Sequence, residues 1–305
     1  MWVALYTHKD CLQHDPGPGH PESPSRLEAL LGALDHDRFA QLDCIDAPLA
    51  TREQLLRVHR ADLVNDVLQP VARGGLRQLD PDTLLSHGSS QAALRAAGAM
   101  CAAIDSVMSK HHRRAFCAVR PPGHHATASA AMGFCLFNNI AVGAAHALAV
   151  HGLNRIAIVD FDVHHGNGTE MIFSGDPRVL YTSSHQWPLF PGTGAHSTAN
   201  AIDVSLVAGS GSTEFRAAYE TTVLPALDVF APQLVLVSAG FDAHRLDPLA
   251  NLNLENDDFR WVTERLVDVA EKHAHGRLVS TLEGGYSLTA MREAGSAHVA
   301  ALLAG

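Results

Sequence analysis

Residues 159–170 read VDFDVHHGNGTE, placing Asp160, Asp162, His164 and His165 within six positions, directly after the apolar run 156–159. Asp and His are poor strand formers, and charged side chains are rarely buried without a partner. In extended chain the side-chain period is two. Asp160, Asp162 and His164 therefore face one way while Phe161 and Val163 face the other. Clustered carboxylates repel unless a proton or a cation neutralises them. A divalent metal does this, and imidazole plus carboxylate suits zinc, although Fe(II) or Co(II) could support the same chemistry. A third ligand must come from elsewhere, and Asp242 in SAGFDAH (238–244) is the natural candidate. Three protein ligands leave one position open, which marks a catalytic rather than a structural zinc.

Other residues fit around such a centre. His124 and His125 follow a Pro-Pro-Gly turn. Metal-assisted hydrolysis needs a base, and histidine titrates near neutrality. Asp160 need not bind the metal; it can orient one of the two imidazoles and raise its basicity. Tyr286, on a Gly-Gly turn, can place a phenol where an oxyanion develops, a donor worth about 3 kcal/mol of barrier.

These residues need elements to hold them. Short apolar runs at 115–119, 156–159, 234–237 and 277–282 read as strands. Helical patterns at 90–107, 138–151, 212–230 and 257–273 lie between or beside them, and 294–304 reads as a further, Ala-rich helix. Wholly apolar strands alternating with helices predict an α/β protein with a parallel sheet covered on both faces. Ligands bind outside the carboxyl ends of such strands. Here four strand ends lead into titratable groups and glycines: 120–125, 160–165, 238–244 and 283–286. No repeat or linker interrupts the chain, so residues 1–305 read as one domain. Residues 209–212 form a loop into the 212–230 helix, where Ser212 or Thr213 can cap. His111, His112, Arg113 and Arg114 read as a solvated turn before a strand.

Composition excludes several classes. Charged residues make up 18% and hydrophobic residues 47%, which supports a sizeable core and not disorder. The formal net charge is −10, with Lys scarce, and nucleic-acid binding needs a basic face instead. The five cysteines include no CxxC pair and read as free, buried thiols in a reducing compartment. No apolar run is long enough to span a bilayer and the first residues have no signal-peptide pattern, so no membrane association and a cytoplasmic location are expected.

The ordered set HPESPSRL (20–27), RPPGHHA (120–126), GFCLFNN (133–139), VDFDVHHGNGTE, FPGTG (190–194), SAGFDAH and LEGGY (282–286) resembles the histone deacetylase superfamily, in particular its class II branch and bacterial relatives. The resemblance implies an arginase/deacetylase-like three-layer α/β fold with a central, mainly parallel sheet of about eight strands. It implies zinc-dependent hydrolysis of an N-acyl amide, with an acyl-lysine or another acylated amine as substrate. By position, Asp162, His164 and Asp242 match the zinc ligands and His125 the general base and acid. His124 matches an electrostatic partner held by Asp160, and Tyr286 the carbonyl-polarising tyrosine. Asn167 falls where other branches carry an Asp; Asn should leave His125 less basic. Gly133, Phe134, Phe190 and Leu249 match the walls of a tunnel for the acyl-lysine stem. Arg26 matches an arginine lining an acetate-release cavity, and Asp82 a rim residue that orients the substrate backbone. The family also carries structural K+ or Na+ sites. Asp160, Asp162, His164, Ser183 and the Ser184 carbonyl match one, and Phe173, Asp176 and Val179 a second. A homo-oligomer is compatible with this resemblance.

Three rival readings are set against this one. A binuclear manganese ureohydrolase would need Asp-x-His-x-Asp, and Gly166 stands where its last Asp belongs. A non-catalytic binding protein would be expected to lack a ligand, a catalytic histidine or the tyrosine. Acetylpolyamine hydrolysis is the nearest rival. Polyamine-selective relatives place a Glu after Asp-Pro, whereas Leu249 follows Asp247 and Pro248 here.

Overall fold

The computed structural model describes residues 3–304; Met1, Trp2 and Gly305 lie outside the described residues. In chain order the strands are β1 (Val3–Thr7), β2 (Leu42–Asp46), β3 (Arg77–Asp80), β4 (Thr83–Leu85), β5 (Arg114–Cys117), β6 (Ile156–Asp160), β7 (Val179–Gln186), β8 (Ala201–Leu206), β9 (Leu234–Ala239) and β10 (Leu278–Leu282). Eight form one sheet in the order β2-β1-β5-β10-β9-β6-β7-β8. Every neighbouring pair in it is parallel. β3 and β4 make a separate antiparallel hairpin. The expected parallel α/β architecture is therefore observed.

The central strands show why. Every residue of β5, β6, β9 and β10 is buried, so each needs cover on both faces. Parallel neighbours also require long crossovers, and helices supply them. Helix Ser89–Met108 packs on Asn139–His151, and Leu288–Ala304 packs on both Asn256–His273 and Pro24–Leu34. Register then sets the working edge: Asp160 at the end of β6 sits between Ser183 of β7 and Ser238 of β9. No helix of the described residues is long and apolar enough to cross a membrane.

Several local expectations are corrected. The 212–230 helix is not uniform: Ser212–Ala218 and Leu224–Phe230 flank a π turn at Tyr219–Val223. Pro225 has no N–H to offer a carbonyl four residues back, and the Leu224 amide bonds Tyr219 O, one residue beyond the α-helical partner. Ser212 does not cap; it lies inside the helix and donates to Asp258 Oδ2 at 2.6 Å. The 111–114 turn is only partly solvated. His112 meets Asp43 at 3.0 Å, and buried Arg114 donates to Leu302 O and Glu271. All five cysteines are free, but Cys44, on an outer strand, is exposed.

Two buried histidines give the fold an acid limit. His298 lies between the hydroxyls of Thr263 (2.7 Å) and Ser280 (2.8 Å), and burial lowers it to about 3. His59 accepts from the amide of Asn138, the N-cap of Asn139–His151, and burial lowers it to about 4 against the pull of the Thr127 carbonyl. Both are neutral in the native protein. As pH falls below about 6.5 the unfolded chain takes up these protons first, so the stability is present above that pH and lost towards 4 and 3. At pH 5 each histidine should cost about 2 kcal/mol. Urea midpoints should drop between pH 7 and 5, with a shallower slope in His298→Gln; a flat profile in the wild type contradicts this.

Candidate active site

The four carboxyl ends of β5, β6, β9 and β10 meet at one place. His164 Nδ1 stands 3.1 Å from Asp162 Oδ1 and 3.2 Å from Asp242 Oδ2. Two atoms each about 2 Å from a tetrahedral zinc stand about 3.3 Å apart, so this donor set has the spacing such an ion needs. The remaining oxygens are held by backbone: Asp162 Oδ2 accepts from Gly284 N at 2.7 Å and Asp242 Oδ1 from Val163 N at 2.9 Å. Both carboxylates are fully buried. Burial and the neighbouring Asp162 push Asp242 up to about 7, the signature of two buried carboxylates awaiting a positive charge. The residues present thus fit a divalent metal.

The backbone leaves no slack around them. A Cβ on Gly284 would overlap Asp242 Oδ2 and crowd Asp162 Oδ2. Gly284→Ala should therefore displace both carboxylates by a substantial fraction of an ångström, and misplacement of about 1 Å costs on the order of a hundredfold in rate. The purified variant should hold less metal by mass spectrometry and turn over at least tenfold more slowly. Full metal occupancy with wild-type turnover would contradict the crowding argument.

Two histidines adjoin the cluster, with ring centroids 4.0 Å apart. His124 Nδ1 meets Asp160 Oδ2 at 3.0 Å. Burial opposes charge on His124, but Asp160 and Asp162 outweigh it and raise the group to about 10. His125 Nδ1 meets Asn167 Oδ1 at 2.9 Å, and an amide oxygen only accepts, so Nδ1 carries the proton and Nε2 is bare. Burial, then the charges of His124 and His164, hold His125 well below its ordinary value. One imidazole is thus held charged and the other neutral.

Tyr286 completes the floor. Its hydroxyl makes no hydrogen bond among the described residues, and burial keeps it protonated against the opposing pull of Arg26. Above it is a cavity of about 260 Å³ lined by His125, His164, Tyr286, Gly133, Phe134, Leu189, Phe190, Leu249 and Asp82. Phe134 adopts φ +67, a conformation costly for a non-glycine residue, and its ring meets that of Tyr286 at 5.8 Å. Asp82 braces the wall by accepting from Gly133 N at 3.1 Å. A larger hollow of about 520 Å³ lies at the opposite strand ends, beside Arg113 and Arg277. It holds no carboxylate and none of the sequence-predicted site residues, several of which line the smaller one.

Some roles were not visible in the sequence. Glu283, fully buried, accepts from the amides of Gly123 and His124 and from Ser238 Oγ, and so ties the ends of β5, β9 and β10 together. Asp247 accepts from Tyr286 N at 2.6 Å and from Leu249 N at 3.0 Å. The only sequence signal for either was an acid beside a motif glycine or proline. Arg26 lies behind the Tyr286 turn and is not among the residues lining this cavity. Fully buried, it donates to Gly285 O, Glu283 O and Glu22, and its guanidinium lies 4.8 Å from the Tyr286 ring, bracing that turn. Ser183 Oγ meets His185 Nδ1 and Ser184 Oγ meets Tyr219 OH; Ser183 sits in register with Asp160. The carbonyls of Phe173, Asp176 and Val179 converge as expected for a cation site. Asn200 Nδ2 stands at 2.8, 3.2 and 3.1 Å from the three oxygens, so its amide shares this ring of carbonyls.

The sequence model of the histone deacetylase domain matches residues 20–302. The chain belongs to the histone deacetylase family. A histone deacetylase-like amidohydrolase of Pseudomonas aeruginosa is 39% identical over 93% of this chain and 82% of its own length. Type-2 histone deacetylase 2 of Dictyostelium discoideum is 34% identical over 99% of this chain, which spans only 21% of that larger protein. The crystal structure of the HDA15 HD domain superposes with a TM-score of 0.92 at 33% identity, covering 99% of this chain and 89% of that one. The molecule is a hydrolase of the deacetylase and amidohydrolase type.

Proposed function

We propose that residues 1–305 form one catalytic domain that hydrolyses an N-acyl amide with a single zinc ion, and that the substrate is an acyl-lysine or a related acylated amine. The observation that carries the reading is the meeting of the Asp162, His164 and Asp242 cluster, His125 and Tyr286 at the base of one aromatic-walled cavity. Asp162, His164 and Asp242 would hold the zinc, which when bound supplies Lewis-acid polarisation to a carbonyl and acidifies water.

The chain's own groups do the rest. Asn167 keeps the proton of His125 on Nδ1, so Nε2 can take a proton from the attacking water. The same nitrogen then returns a proton to the departing amine. The Tyr286 hydroxyl donates to the oxygen on which negative charge develops. His124, charged beside Asp160, opposes a lasting charge on His125 and so favours the return of that proton. Phe134 and Phe190 flank the entry and would sandwich a methylene stem while excluding water. Asp82 stands at the rim to meet the substrate backbone. A K+ or Na+ beside the zinc would use Asp160, Asp162, His164, Ser183 and the Ser184 carbonyl.

Leu249 favours acyl-lysine over acetylpolyamine. It lines the mouth at 37% exposure and offers no charge to a distal ammonium. The test is a panel of an acetyl-lysine peptide, N-acetylputrescine and a longer acyl-lysine, each with and without a chelator. Chelator-sensitive turnover favouring the peptide supports the reading. Preference for acetylputrescine would keep the mechanism and replace the substrate. No turnover of any amide by zinc-loaded protein would overturn the function.

A further inference from the structure

A second set of metal-ligand atoms lies next to the first and plays no part in the mechanism above. His165 Nε2 stands 3.1 Å from Glu170 Oε2 and 3.2 Å from Asp203 Oδ1. These separations repeat those of Asp162, His164 and Asp242, and again match two ligands of one tetrahedral ion, about 3.3 Å apart. The side chains of His165 and Asp203 are 1% and 0% exposed. Despite the short distances, His165 Nε2 and both oxygens of Asp203 make no hydrogen bond. The three groups are held at ion-pair distance and not by aligned hydrogen bonds. One imidazole and two carboxylates thus converge at metal-ligand spacing in a largely buried place, a donor set that suits a divalent ion.

We propose that His165, Glu170 and Asp203 form a second divalent-metal site, for a first-row ion such as Zn2+ held by one imidazole nitrogen and two carboxylates. The inference stands apart from the deacylase reading, since none of the three residues faces the cavity. Two comparisons within the chain support it. At the surface, Asp105 gathers His146 and His151, but there both Nε2 atoms make aligned hydrogen bonds to Asp105 Oδ1 at 2.7 Å, and no atom is left over. At the active-site cluster His164 Nδ1 also has aligned acceptors, so a proton could stand in for the metal there. At His165 the two carboxylates stand at ion-pair distance without an aligned hydrogen bond.

The surroundings are those of a metal ligand. The other ring nitrogen of His165 meets Thr193 Oγ1 at 2.7 Å, the outer contact that fixes a ligating histidine's tautomer and orientation. Gly194, at φ +81, lies against the His165 and His185 rings so closely that a Cβ would overlap both. Glu170 keeps 18% of its side chain exposed, which leaves the ion a way in. The three ligands come from the loop after β6, from helix Asn167–Phe173 and from β8. An ion there would tie those elements together, and through Thr193 would anchor the loop that carries Phe190. Its role is structural.

The test uses the full chain, stripped of metal and dialysed against Zn2+, with metal counted by mass spectrometry and located by anomalous difference maps at the zinc edge. Two zinc per chain are expected, with peaks at His164 and at His165. Glu170→Gln and Asp203→Asn should each hold one and keep the His164 peak, while Asp242→Ala should keep the His165 peak. One zinc in the wild type, a second peak elsewhere such as at Asp105, or two ions retained at both clusters in Glu170→Gln would each overturn the proposal. If Asp203→Asn does not fold, the wild-type map and the partly exposed Glu170 variant still decide.

Discussion

His125→Ala is expected to lower kcat on an acetyl-lysine peptide by a factor on the order of 10²–10⁴, the range a general base and acid contributes, with zinc content at the wild-type level. The residue is not among the ligand atoms of the Asp162, His164 and Asp242 cluster, so the loss is in proton transfer and not in metal binding. The geometry behind this is specific. Asn167 accepts from Nδ1, and burial with the charge on His124 keeps the ring neutral. The base form should therefore persist below the usual histidine range, and the residual activity of the variant should lose whatever pH dependence His125 imposed. Turnover within a few-fold of wild type, with zinc bound, would remove His125 from the acid–base role and point to His124.

Tyr286→Phe is expected to cost about 10²–10³ in kcat, equivalent to about 2.7–4 kcal/mol, with a smaller change in KM. The hydroxyl is unpartnered among the described residues, so its removal leaves no orphaned group and little cost in stability. The ring remains packed against Phe134 and beneath the Arg26 guanidinium. An effect confined to kcat would place the hydroxyl at the transition state; an effect confined to KM would make it a binding contact. Unfolding midpoints equal to wild type separate either result from a collapsed turn. The double variant with His125→Ala should fall little further than the worse single one, because both act on the same step.

What could be read from the residues divides along physical lines. β6 and β9 are pure apolar runs of strand length, and buried parallel strands have no other way to look, so these and the titratable groups after them stood out. β1 and β2 did not. β2 lies at the sheet edge, where only Leu42 of its five residues is buried, and VALYT in β1 has no turn signal before it. The alternation that placed Asp160, Asp162 and His164 on one side was sound because it is a property of extended chain alone. Asp242 lies 80 residues after Asp162, and its pairing with His164 follows from β9 lying beside β6, which only the topology supplies. Arg26 and Asn200 show the other limit. Local sequence tells that an arginine or a carbonyl is present, but not that Arg26 spends its donors on the Tyr286 turn or that an amide occupies the ring formed by Phe173, Asp176 and Val179.

Asp247 joins two functions that would otherwise be separable. One carboxylate oxygen holds the amide of Leu249 at the mouth, and the other holds the amides of Tyr286 and Ser287 at the floor. The proposed selectivity gate at Leu249 and the proposed donor at Tyr286 are therefore two ends of a single lever. Exchanging the Leu249 side chain can retune selectivity without touching the lever. Any insertion, deletion or backbone shift in the 247–249 loop will move the phenol as well. On the proposed roles, substrate range is free to drift by side-chain replacement but not by remodelling the loop, unless catalytic speed is surrendered with it.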